Sequence, residues 1–398
     1  MFNNILKTNE FEPILIKKAL GSWIWDVKGK KYLDCESGMW CVNLGHNHPR
    51  VITEMKRQVD EIIHRNKGFL TPITLEAAEE LLKFFPNEYD KLTFLNSGTE
   101  AVEFGINFAK KVTKRTKVLS LQDSYLGAYG TAKTLSYTSL DESKFRISYP
   151  ICNSEHCDCL EEYQPLIDKI FQDHSSEFAC FVLEPVMVSG GVYKPCKEFI
   201  QYIFEKIKDD GGLVVIDEVT TGMGRVGHKF GYELFKIIPD VVVLGKALGN
   251  GYPISAIITN STFESKLSSS ELYYVQSHQL DPLGATVVKS VVNVFDEEKI
   301  IEKSQEKIQK IDDFLKTLKQ PFIKEIRSYG MIFGIQIQPY NGISSEEIIL
   351  KLKNQLLEAG ILIGFNLSRE FIRLLPPLNI QDNEIEFLKE KIIRTFKN

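Results

Sequence analysis

The sequence predicts an α/β protein: a large domain with a mostly parallel sheet covered by helices, joined to a smaller α+β domain. Three observations carry this. Short runs that are apolar throughout alternate with longer helical patterns in the middle of the chain, as in a sheet covered on both faces. Near the end the pattern changes to short strands interleaved with charged amphipathic helices. A chain of 398 residues also exceeds what one simple core accommodates.

The expected strands of the large sheet are "KLTFLN" (91–96), "KVLSLQ" (117–122), "FACFVLEP" (178–185), "GLVVIDE" (212–218), "DVVVLGK" (240–246) and "ISAIIT" (254–259). Between the first two, "TEAVEFGINFAKKVTKR" sets Ala101, Phe104, Phe108 and Val112 on one helical face. Later, "MIFGIQIQ", "AGILIGF" and "FIRLLPPLNI" read as strands of the smaller sheet, among helices at 297–319, 345–358 and 382–396. Ser344 and Glu347 have capping-box spacing for the second of these. No repeat or low-complexity linker interrupts the chain, so the two domains should pack closely.

Composition narrows the function. A net charge of −5 leaves no basic footprint for nucleic acid. No apolar run approaches the roughly 18 residues that cross a bilayer. The start, "MFNNILKTNEFEP", lacks the charged-then-apolar order of a secretory signal. Seven scattered cysteines suggest free thiols in a reducing compartment. The expectation is a soluble cytoplasmic protein.

In an open parallel sheet, ligands bind beyond the carboxyl ends of the strands. Four expected strands end there in polar residues: Asn96 and Ser97, Glu184, Asp217 and Glu218, and Lys246. Ser97 and Glu100 could cap a helix. Equally, the backbone N–H groups of Gly98 and Thr99 at that helix start suit a phosphate. Asp217 emerges from four apolar residues and needs a positive partner, such as a protonated ring nitrogen. Lys246, ending another apolar strand among glycines, is costly without a partner or a task. Asp217 and Lys246 are separated by enough chain for one helical crossover, which puts them at the same sheet edge. A phosphate site, a carboxylate for a pyridinium and a partly buried lysine together describe a pyridoxal phosphate site. Lys246 would form the Schiff base, and Asp217 would keep the ring protonated and electron-accepting.

The motifs "GSWIWDVKGKKYLDCESGMWCVNLGHNHPRV", "LNSGTEAVEFGINFAKK", "VVIDEVTTGMGRVG", "PDVVVLGKALGNGYPISA" and "FIRLLPPLNI" occur in the order found in the class III, or ω-amino-acid, pyridoxal phosphate aminotransferases. The chain resembles that family nearly end to end. The resemblance implies a fold-type I enzyme, with 1–52 joining the small domain, 53–285 as the cofactor-binding domain and 286–398 as the rest of the small domain. It also implies a homodimer with shared active sites. Lys246 would carry the cofactor and shuttle a proton, Asp217 would bind the pyridine nitrogen, and Val219 would pack on the ring. Gly98 and Thr99 would hold the phosphate, Tyr125 would stack on the ring, and Ser277 would reach the neighbouring subunit's phosphate. Arg373 would take the substrate carboxylate in a two-point contact, with Trp40 as a pocket wall.

Departures from the family matter too. Leu126 stands where a histidine is common, and Ser189 replaces the glutamate that often shields the substrate arginine. Arg373 is therefore expected to lack an acidic gate. "EPVMVSGG" and "SHQLDP" look like dialkylglycine decarboxylase, but Met39 replaces that enzyme's glutamine, and "GMWCVN" is closer to amine–pyruvate transaminases. Three readings follow. The first is an aminotransferase moving an amino group from an amino acid or amine to a 2-oxo acid. The second is a decarboxylase, racemase or aminomutase on the same fold. The third is a non-catalytic binding protein, which the intact Lys246 and Asp217 disfavour. No metal is expected: the cluster Cys152, His156, Cys157 and Cys159 fits no standard zinc spacing. His46 and His48 are expected to order a turn, and Trp23 and Trp25 to pack.

Overall fold

The computed structural model describes residues 4–6, 8, 11–140, 145–151 and 158–397. Strands β1 (Ile16–Leu20), β2 (Trp23–Asp26) and β3 (Lys31–Asp34) form an antiparallel meander. Asp26 closes the β2–β3 turn by accepting the N–H groups of Lys28 and Lys30, each at 2.9 Å. Trp23 packs on Phe387, while Trp25 lies under the Lys18 ammonium. Helices α1 (Pro49–Glu61) and α2 (Pro72–Lys83) both open on proline, whose missing N–H costs nothing in a first turn.

The large sheet follows: β4 (Lys91–Leu95), α3 (Gly98–Thr113), β5 (Lys117–Leu121), β6 (Phe145–Ile147), α4 (Cys159–Asp173), β7 (Phe178–Leu183), α5 (Lys197–Asp209), β8 (Leu213–Asp217), β9 (Val241–Leu244) and β10 (Ser255–Thr259). Its spatial order is β4-β10-β9-β8-β7-β5-β6. The ladders from β9 to β6 are parallel, and β10 runs antiparallel to both neighbours. Every residue of β7 to β10 is buried, which explains runs without polar alternation. Helix α3 approaches closely because Gly105 has no side chain; a Cβ there would meet Val215 at 3.3 Å.

The chain continues through α6 (Pro282–Glu297), α7 (Ile300–Lys316), β11 (Ile323–Ser328), β12 (Phe333–Ile337), α8 (Ser345–Glu358), β13 (Ile361–Leu362), β14 (Gly364–Asn366), β15 (Phe371–Leu374) and α9 (Asp382–Phe396). Strands β11-β12-β15-β14 form an antiparallel sheet. β13 instead joins the first sheet, parallel to β3, so the two chain ends share one layer. The capping box of α8 is present: Ser344 Oγ accepts the Glu347 N–H at 3.2 Å, and Glu347 accepts the Ser344 N–H at 3.0 Å. The helix expected from residue 297 begins at Ile300, because Lys299 is left-handed with φ 51°. α6, absent from the sequence expectation, is buried along most of its length and runs unbroken through residue 285.

The loop after β8 anchors these parts to one another. The buried guanidinium of Arg225 donates to the carbonyls of Pro376 (2.6 Å) and Met331 (3.4 Å) on the C-terminal side. It also reaches Ser37 Oγ (3.4 Å) and Asn43 Oδ1 in the N-terminal segment. Burial pushes its pKa down to about 9. Removing it strands several buried acceptors, each worth roughly 1–3 kcal/mol. Arg225→Met is therefore expected to lower stability by about 3 kcal/mol or more, read as a shifted urea midpoint. A loss below about 1 kcal/mol would mean that the joint is held elsewhere.

Candidate active site

Strands β8 and β9 are adjacent and parallel, with Asp217 opposite Val243. Their carboxyl ends therefore bring Asp217 and Lys246 to one place. Asp217 is buried, and its Oδ1 accepts the Val219 N–H at 3.0 Å. Burial raises its pKa to about 6, against the opposing effects of that bond and of Lys246. Lys246 follows the extended Gly245 and has φ 41°, the left-handed region. Its Nζ donates to Thr220 Oγ1 at 2.6 Å and lies 4.7 Å from the centroid of the Trp40 ring. Burial pushes the Lys246 ammonium pKa down, while Asp217 and Glu184 oppose the shift. Glu184, also buried, accepts the Tyr125 N–H at 3.0 Å. Its pKa is pushed up to about 8 by burial and then by the charge of Asp217.

Beside this cluster, Ser97 caps α3 by accepting the Glu100 N–H at 3.2 Å. The N–H groups of Gly98 and Thr99 fall in the first turn, which has no intrahelical acceptors. Thr99 Oγ1 accepts the Ala128 N–H at 3.1 Å, tying that turn to the loop that carries Tyr125. Gly98 is required by crowding: a Cβ would meet Val219 Cγ1 at 2.8 Å. Val219 also lies against Gly245, so it fits between the helix start and the lysine turn. Glu218 points elsewhere. It accepts from Thr221 Oγ1 (2.6 Å) and from the N–H groups of Gly231 and Tyr232 (2.8 Å each), bracing the following loop.

The remaining expected residues divide. Trp40 is buried and stacks under both Lys246 and Arg373, whose guanidinium carbon is 4.6 Å from the ring centroid. Ser189 is held nearby through its carbonyl, which accepts Asn366 Nδ2 at 3.2 Å. Met39, with φ 65°, is largely exposed. Ser277 is exposed on this chain and makes no hydrogen bond to the Lys246 cluster among the described residues. Arg373 has an acidic partner: its Nε and Nη2 donate to the largely shielded carboxylate of Glu36 at 3.3 and 3.2 Å. The carboxylate comes from the N-terminal segment, not from the Ser189 position. Thr220 and Glu36 were not singled out in the sequence; a charged residue between the buried Cys35 and Ser37 was the available signal for Glu36.

His46 orders its turn through Asp34, 2.8 Å away. Cys152, His156 and Cys157 lie outside the described residues, and Cys159 begins α4.

The profile of the family "Aminotransferase class-III" matches residues 6–396. The chain belongs to the class-III aminotransferases. Acetylornithine aminotransferase from Methanocaldococcus jannaschii is 29% identical over 397 residues, covering 96% of this chain and 94% of that protein. The solved adenosylmethionine-8-amino-7-oxononanoate aminotransferase of the same organism superposes with a TM-score of 0.85 at 27% identity, over 97% of this chain and 93% of that one. An omega transaminase from Pseudomonas jessenii, solved in complex with PMP, shares the fold with a TM-score of 0.88 at 22% identity, over 97% of this chain and 92% of that one.

This is thus a pyridoxal-phosphate-dependent aminotransferase, and its residues suit that cofactor. Asp217 is a buried carboxylate without a full counter-charge, which a ring N–H⁺ would supply. The glycine at 98 leaves Val219 free to form a flat wall, and the α3 start offers N–H donors to an anion. Asp217→Asn is expected to keep the fold and loosen the cofactor about tenfold or more, the loss of one charge-assisted bond worth roughly 1.5–3 kcal/mol. Equilibrium dialysis of the cofactor checks this; an unchanged affinity would remove Asp217 from the ring nitrogen.

Proposed function

We propose that this enzyme transfers an amino group from an amino acid or amine donor to a 2-oxo acid, with Lys246 as the proton-moving base. The observation that carries this is the Lys246 amine, enclosed by Asp217, Glu184, Thr220 and the Trp40 ring, with its pKa driven down by burial. A lysine in that state spends more time neutral, and neutral amines accept protons and bond to carbonyl carbon. Bound here, pyridoxal phosphate supplies an electron-accepting ring that lets the nitrogen-bearing carbon of the donor release a proton.

The chain's own residues do the rest. Asp217 keeps a proton on the ring nitrogen. Val219 would pack on the bound ring and Tyr125 would stack on it, while Gly98 and Thr99 would anchor the phosphate at the positive end of α3. Thr220 accepts the Lys246 hydrogen bond and fixes where the amine points. Arg373 takes a substrate carboxylate, and Trp40 separates its charge from that of Lys246. Ser277, exposed on a single chain, serves the phosphate of a second subunit in a homodimer. Among the described residues no helix is long and apolar enough to cross a membrane.

Decarboxylation is the competing reading. It needs a polar group holding the departing carboxylate over the ring. Met39 offers no donor, and Ser189 alone would leave part of that charge unsatisfied. Transamination is therefore favoured.

Lys246→Ala should lose turnover by about a thousandfold or more while still retaining cofactor through its phosphate contacts. Near-normal turnover would exclude Lys246 as the base. Supplied with an amino donor alone, the wild-type enzyme should release one 2-oxo acid or aldehyde per site and no carbon dioxide. Stoichiometric carbon dioxide would favour the decarboxylase. Mixing Lys246→Ala subunits with Ser277→Asp subunits should restore part of the activity through heterodimers with one intact site, whereas a fully active monomer would end the shared-site proposal.

A further inference from the structure

The carboxylate on Arg373 sits in a slot built for it. Strands β14 and β15 pair antiparallel with Gly364 opposite Arg373. A side chain at 364 would collide with both carboxylate oxygens of Glu36, so the glycine is what leaves room for them. From the other side, Asp34 fixes the Glu36 backbone by accepting its N–H at 2.9 Å and that of Gly38 at 2.7 Å. The Trp40 ring closes the slot under the guanidinium. Glu36 and Arg373 are both largely shielded from water, where an arginine without a counter-charge is expensive.

We propose that Glu36 is the specificity gate of this site: it holds Arg373 whenever the bound substrate presents no carboxylate there, and competes with every substrate that does. The proposal rests on the amino-transfer reading above and deepens it. With Glu36 in place the surroundings of Arg373 are electrically neutral and suit an amine or an apolar side chain. With Glu36 displaced they become a cationic receptor for the carboxylate of a 2-oxo acid. One pocket can then serve two half-reactions whose substrates differ in charge at this point, without the glutamate that Ser189 replaces. Glu36 is therefore a positioning and specificity residue acting through Arg373.

The competing alternative is that Glu36 merely orients Arg373 for binding, and the two roles predict opposite signs. Propanoate, a carboxylate with neither an amine nor an oxo group to react, is titrated calorimetrically into the holoenzyme. Glu36→Gln keeps the shape but removes the competing charge, and should bind propanoate about tenfold tighter or more. Gly364→Ala leaves Glu36 charged but drives it out of the slot, and should shift affinity the same way. Arg373→Leu should abolish propanoate binding in both the wild-type and Glu36→Gln backgrounds. Unchanged or weaker binding in Glu36→Gln and Gly364→Ala, or binding that survives Arg373→Leu, would overturn the gate. The failure of the functional reading is separate: tighter propanoate binding in an enzyme that moves no amino group between any donor and 2-oxo acid would keep the gate and discard amino transfer.

Discussion

Enclosing one amine among carboxylates is the constraint around which this protein is arranged. An ammonium or a carboxylate taken out of water alone costs several kcal/mol, and here Lys246, Asp217 and Glu184 meet at the ends of buried strands. The parallel pairing of β8 with β9 makes the meeting unavoidable, since both chains leave the sheet at the same edge. Nothing in the cluster is fully neutralised by its neighbours. The site is thus electrostatically incomplete in a way that an aromatic cation bearing an anionic tail would complete.

Much of this was legible in the sequence because period and punctuation coincide. Strands buried on both faces cannot hide: "LVVID" admits no polar residue before its last position and "VVVL" admits none at all, so Asp217 and Lys246 stand out. The Ser97 cap and the Ser344 box were readable for a similar reason, since capping depends on neighbours three residues apart. α6 was not readable, because a helix buried nearly all round has no polar face to set a 3.6-residue rhythm. Glu36 was invisible on different grounds. Its partner lies 337 residues away, and only the β14–β15 register brings Gly364 and Arg373 to it.

The same long reach governs how the parts are held. Arg225 extends from the large sheet to carbonyls on one side and to Ser37 and Asn43 on the other. Its guanidinium works alongside an apolar cluster that includes Trp40, Val226, Ile332 and Leu375: packing brings the segments together, and a directional hub of hydrogen bonds fixes their register. Trp40 sits in the segment so anchored, which is why its ring can serve two cations at once.

The pairing of β13 with β3 has a consequence for biosynthesis. The first sheet contains strands from near the start of the chain, yet its last strand is Ile361–Leu362. As the polypeptide leaves the ribosome, the large sheet can assemble while the opening segment still lacks that strand and the carbonyls that Arg225 grips. Contacts this distant in sequence form late and slowly. Newly made chains would therefore hold a formed cofactor cleft before Glu36 and Trp40 are locked over it, and the substrate-facing wall would be the last part of the enzyme to mature.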